Sequence, residues 1–138
     1  MITQRRNRIL YWAVTLIVLL PTAGSGIPEL FAGGLKATVA QYQALGYPLY
    51  LMKILGFSKL LGAIVLLIDR RRAWTEWAYA GFGILFLGAT ASHVLSGDLG
   101  HAPIPFAFFI LLAGSYTLWS RNKVSRGDHD NADSARSR

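Results

Sequence analysis

The sequence predicts an all-α membrane protein: a four-transmembrane-helix up-down bundle with both termini cytoplasmic and a short amphipathic helix in the first outer loop. Three observations lead there. The 138-residue chain is 53% hydrophobic, with a mean hydropathy of +0.37. Its apolar residues gather into four runs, about 9–27, 49–68, 74–95 and 104–120. Each is close to the roughly 20 residues a helix needs to cross a hydrocarbon core of about 30 Å. Eleven of the 14 lysines and arginines precede the first run, join the second to the third, or follow the fourth. Such a bias marks the cytoplasmic side, here of a multi-pass protein of the bacterial inner (plasma) membrane. It also accounts for the net charge of +7 without a polyanionic ligand, so no nucleic-acid partner is expected.

Arg5, Arg6 and Arg8 lead into the first run, and Tyr11 and Trp12 follow at interface depth. Thr22-Ala23-Gly24 would suit cleavage of a secretory signal, but the length of the run and the three behind it favour a retained span. Pro21 removes a backbone donor and predicts a kink, and GSGIP from Gly24 to Pro28 predicts that the helix loosens. Leu35 to Leu45 carries apolar residues at helical spacing and reads as the amphipathic surface helix. Gly46-Tyr47-Pro48 turns the chain into the second run. The inner connection, Asp69 to Arg72, is so short that the second and third helices must be antiparallel neighbours. Small residues in the third run (Gly81, Gly83, Gly88, Ala89) and the second (Gly56, Gly62) predict that these two helices form the tight centre. Residues 1–122 form the membrane domain, and the polar, mixed-charge segment 123–138 reads as a disordered cytoplasmic tail.

The polar residues inside the runs carry what function the sequence offers. Lys53 lies roughly 6 Å and Lys59 roughly 15 Å below the outer end of the second helix, at 1.5 Å per residue. Lys53 can snorkel to the headgroups, whereas a lysine near the centre costs about 3 kcal/mol to insert. By depth along the helices, Glu29 matches Lys53 as an interfacial ion pair, while Lys59 meets only hydroxyls such as Ser25. Two expectations compete: a structural role, or an outward-facing polar pocket lined by Glu29, Lys53, Lys59 and His93 that holds a lipid-like or quinone-like molecule. With no acid at its depth, Lys59→Leu should preserve or raise stability while abolishing ligand binding or complex formation. Metal chemistry is not expected, because His93 and His101 are eight residues apart and no chelating pair shares a helix face. The lack of cysteine excludes disulfides, thiol redox chemistry and Cys-ligated metals.

The motifs GSGIPELF, LGYP (Leu45–Pro48), KLLGA (Lys59–Ala63), EWAYAGF (Glu76–Phe82) and GATASH (Gly88–His93) occur in an order that resembles the DoxX-like family of small membrane proteins. The resemblance covers about residues 8–120 and implies a four-helix membrane bundle in which Lys59 and the pair Ser92 and His93 belong to the family pattern. The namesake of the family is a subunit of a thiosulfate:quinone oxidoreductase. Leu85 stands where some relatives carry an acid, which would have been the natural partner for Lys59. The function expected is therefore that of a non-catalytic accessory or assembly partner, working with a membrane protein partner or as a homo-oligomer. The alternatives are a quinone-binding subunit of an oxidoreductase complex and a small-molecule carrier. The candidate ligand-binding residues are Lys59, Lys53, Glu29, Ser92 and His93.

Overall fold

The computed structural model describes the backbone of residues 2–31, 35–68 and 71–136, and the side chains of 5–31, 35–68 and 71–121. The described residues form five helices: α1 (Ile2–Phe31), α2 (Lys36–Ala44), α3 (Leu49–Ile68), α4 (Arg72–Leu95) and α5 (Pro103–Arg136). Four of them are long and apolar enough to cross a membrane, and α2 is not. They form a ring in which α1 touches α3 and α5, and α4 touches the same two from the opposite corner. Large apolar side chains cover the outside, among them Trp77 at 78% and Ile84 at 74% exposure. A surface this apolar needs lipid against it.

The first helix departs from expectation. It runs without a break through Pro21 and Pro28 to Phe31, where the sequence predicts that the helix loosens from Gly24 to Pro28. Thr22 Oγ1 donates to the Val18 carbonyl at 2.6 Å and Ser25 Oγ to the Thr22 carbonyl at 2.9 Å. The carbonyls that lose a donor to the two prolines are those four residues back, of Ile17 and Gly24, so these hydroxyl bonds fall on neighbouring carbonyls and not on the freed ones. In α5, Pro103 and Pro105 fall in the first turn, where backbone N–H groups have no partner within the helix.

The fourth helix also outruns its apolar stretch. Residues 123–138 are expected to be disordered, yet α5 stays helical as far as Arg136; Ser137 and Arg138 lie outside the described residues. Extending an existing helix avoids the cost of nucleating a new one, so polar composition alone does not end it.

The tightest contact is between α1 and α3, not between α3 and α4. A Cβ on Gly56 would come within 2.9 Å of both the Gly26 carbonyl oxygen and Glu29 Cβ, and one on Gly26 within 3.0 Å of the Gly56 carbonyl oxygen. In α4, by contrast, Gly81 and Gly88 face open space. Small residues permit close approach, but which glycines are used depends on the rotation of each helix, and α4 turns Tyr79, Phe82 and Phe86 inward instead.

Those rings build the core with Tyr11, Val18, Leu66, Leu112 and Trp119. Trp119 is only 2% exposed. A polar layer crosses this core. Ser115 Oγ lies 2.6 Å from Thr15 Oγ1 and 2.8 Å from the Tyr79 hydroxyl, joining α5, α1 and α4. Each hydroxyl can both give and accept, so the group is satisfied internally.

Gly56→Ala should lower the thermal unfolding temperature of the detergent-solubilised protein, by about 1–3 kcal/mol of overpacking. Gly88→Ala, made in open space, should be neutral or stabilising by up to about 1 kcal/mol. Equal effects at the two sites would show that the α1–α3 contact is not specially close.

Candidate functional site

The glycine contact places the site. Glu29 lies three residues beyond Gly26 and Lys59 three beyond Gly56, a spacing that keeps each pair on one helix face. Each charged side chain starts over the opposite glycine: a Cβ on Gly56 would meet Glu29 Cβ, and one on Gly26 would meet Lys59 Cβ at 3.2 Å. The Lys59 ammonium then reaches both oxygens of Glu29, at 2.7 and 2.8 Å, and sits 3.3 Å from Ser25 Oγ. The Glu29 side chain is 3% exposed and that of Lys59 13%.

This corrects the pairing expected from depth. Glu29 bonds to Lys59, while Lys53 is exposed and makes no ion pair or hydrogen bond among the described residues. Glu29 is level with Gly56 and Lys59 with Gly26, so the offset between the two charged residues, about 4.5 Å over three residues along antiparallel helices, is spanned by the side chains themselves. Lys59 does snorkel, toward a carboxylate rather than toward water. The acid missing at Leu85 is supplied by α1.

The expected polar pocket is divided as well. His93 lies in a separate cluster at the end of α4, 6% exposed. Its Nδ1 is 2.9 Å from Asp98 Oδ2, and His101 Nδ1 is 2.8 Å from Asp98 Oδ1. An ionised carboxylate only accepts, so both Nδ1 atoms carry the hydrogen. Nε2 of neutral His93 is then the acceptor facing the Gln41 amide nitrogen at 3.4 Å. Ser92 Oγ bonds to the Tyr47 hydroxyl and donates to the Gly88 carbonyl at 2.7 Å. The His101 hydrogen bond, and after burial's opposing effect that of His93, hold the Asp98 carboxyl below its usual range.

Two matching turns assemble this cluster. Gly97 has φ +79° and Gly46 φ +74°. The amide of Asp98 bonds to the His93 carbonyl and that of Tyr47 to the Tyr42 carbonyl, both at 2.9 Å. These are Schellman caps, in which a left-handed glycine sends the next residue back over the helix end. One cap returns Asp98 to His93, and the other returns Tyr47 to Tyr42, with ring centroids 6.2 Å apart. The tyrosine and aspartate roles were missed from sequence, although glycine just past a helical run was the available signal. Among the described residues no three histidine, aspartate or glutamate side chains are arranged to hold a metal ion.

Tyr42 links the cluster to the pair beneath it. Burial, then the negative charge of Glu29, then Tyr47, push its hydroxyl up to about 12. On the other side of the pair, Lys59 forms part of the wall of a groove of about 500 Å³ between α3 and α4. Leu55, Leu61, Trp77, Phe82 and Ile84 are among its other walls, and exposed members of that set open it sideways. Glu29 and His93 are not part of it.

Because Glu29 is buried behind it, Lys59→Leu leaves an uncompensated charge, which reverses the effect expected from sequence. Lys59→Leu or Glu29→Gln alone should destabilise by about 3–5 kcal/mol, and the double variant Glu29→Gln/Lys59→Met should recover most of the loss; thermal unfolding in one detergent measures all three. A raised tyrosine pKa contributes stability that is present below the unfolded value and lost as pH rises toward 12. Removing the Glu29 charge should lower the Tyr42 transition, read as phenolate absorbance against a Tyr42→Phe control.

No curated protein and no solved structure matches this chain. Residues 13–115 match the model of the DoxX-like family. With a match that runs from the first span into the fourth, and four helices able to cross a bilayer, the chain belongs to the DoxX-like family and is a multi-pass membrane protein.

Proposed function

We propose that this protein is a non-catalytic accessory or assembly partner in the bacterial inner membrane, its arginine-rich end cytoplasmic, and that it holds the polar head of a lipid-like molecule at Lys59. One observation carries the reading: Lys59, whose ammonium is held by Glu29, lines a sideways-opening groove of about 500 Å³ that is apolar apart from it and Ser58. That volume lies within the range of small-molecule sites. The pair is neutral as a unit, and its weakest contact, Ser25 Oγ at 3.3 Å, is the one a ligand oxygen could replace. A neutral acceptor adds no net charge to the bilayer core, where charge is costly. The same point favours a second reading, a quinone-binding subunit of an oxidoreductase complex, since a quinone carbonyl is a neutral acceptor on an apolar body.

Native mass spectrometry of gently extracted protein tests both readings. The double variant Glu29→Gln/Lys59→Met, which should stay folded, is expected to lose a bound small molecule that the wild type keeps. Gly81→Leu, which projects a side chain into the groove from α4, should do the same with the ion pair intact. Added quinone that restores the adduct in wild type alone would select the second reading. Identical spectra for wild type and both variants would make the pair purely architectural.

A further inference from the structure

A second groove, of about 450 Å³, lies on the other flank of α4, against α5. Its walls are apolar (Gly83, Phe109, Leu112, Ala113), but its arginine end is closed by Glu76, Tyr79 and Tyr116. Glu76 is unusual there. A carboxylate with 39% of its side chain exposed faces a cleft on the lipid-covered side of the bundle, one turn into a membrane-spanning helix.

Its local surroundings have both signs of charge. Glu76 Oε1 accepts from Arg72 Nε at 2.8 Å, and Oε2 has no partner among the described residues. The Arg72 guanidinium lies 6.0 Å over the Trp119 ring, and its side chain is 62% exposed, so its two terminal nitrogens remain for an anion. Tyr116 and Trp119 present neighbouring rings, with centroids 5.8 Å apart. The order from the arginine end inward is therefore a guanidinium, a carboxylate oxygen beside aromatic faces, and an apolar channel.

We infer that this groove is a binding site for one phospholipid with a phosphoethanolamine head. Its phosphate meets the Arg72 terminal nitrogens, its primary ammonium donates to Glu76 Oε2 beside Tyr116, and an acyl chain lies along Gly83 and Phe109. Charge complementarity selects this occupant. A phosphoglycerol head brings the same phosphate to Arg72 but no cation for Glu76, and a quaternary choline has cation–π attraction but no N–H to donate. An apolar groove without Glu76 would not discriminate among the three.

The test uses the full chain in nanodiscs of equimolar phosphatidylethanolamine, phosphatidylcholine and phosphatidylglycerol, followed by native mass spectrometry of the lipid retained. One phosphatidylethanolamine per chain is expected, preferred over each competitor by about tenfold, the worth of one charge-assisted hydrogen bond. Glu76→Gln should bring phosphatidylethanolamine down to the level of phosphatidylcholine. Gly83→Leu, where even a Cβ would lie 3.8 Å from the Phe109 ring, should expel the lipid altogether, with thermal unfolding run alongside to show that the fold is kept. Retained lipid in the bulk ratio, a preference for phosphatidylglycerol, or a preference unchanged in folded Glu76→Gln would overturn the assignment. None of these variants touches the α3/α4 groove, so either site can fail without the other.

Discussion

The contact of Gly26 on Gly56 governs the half of this bundle away from its arginine-rich end, because it brings two backbones close enough for a glutamate and a lysine to start over each other's glycines. A buried ion pair gains its Coulomb energy only when geometry is good and remaining donors are satisfied. Here both carboxylate oxygens and a serine hydroxyl receive the ammonium. If the helices were further apart, each charge would face the bilayer core singly. The pair is therefore a consequence of packing.

Polar groups divide the bundle into levels. The Thr15–Ser115–Tyr79 layer ties α1 to α5 and α4, whereas the Glu29–Lys59 layer ties α1 to α3. Above the ion pair, α2 and the turn that follows it meet the end of α4 through Gln41–His93 and Tyr47–Ser92. Helix α1 takes part in both intramembrane layers, so its uninterrupted course through two prolines matters: a break between them would disconnect one layer from the other. Inside lipid, where packing and hydrogen bonds replace the hydrophobic drive between helices, such layers also set register.

Around this frame the surface is divided by α4. One flank offers a groove with a cation at its wall, and the other a groove with a carboxylate at its end. The small residues of α4, which in sequence look like a packing face, leave room for both clefts. Gly81 lines the first and Gly83 the second. Glycines two residues apart on a helix point about 200° apart, which is why one helix can border two separate sites.

Apolar run length, basic residues between the runs and short connections determined by themselves that four helices cross the membrane as neighbours in an up-down bundle, since lipid admits little else. Lys59 was recognisable as the residue that needs explaining, because a lysine at that depth is expensive without a partner. The identity of that partner was not recognisable. Depth along an axis says nothing of helix rotation, and only the assembled α1–α3 face shows that Glu29 reaches down while Lys59 reaches up. His93 and Lys53 look like neighbours by level, but rotation puts His93 inside under Asp98 and Lys53 outside. The tertiary structure likewise decided that Trp119 is core and that the glycines of α4 open grooves. Each of these depends on which way a helix faces, and in a chain apolar on nearly every side the sequence carries little periodicity to say so.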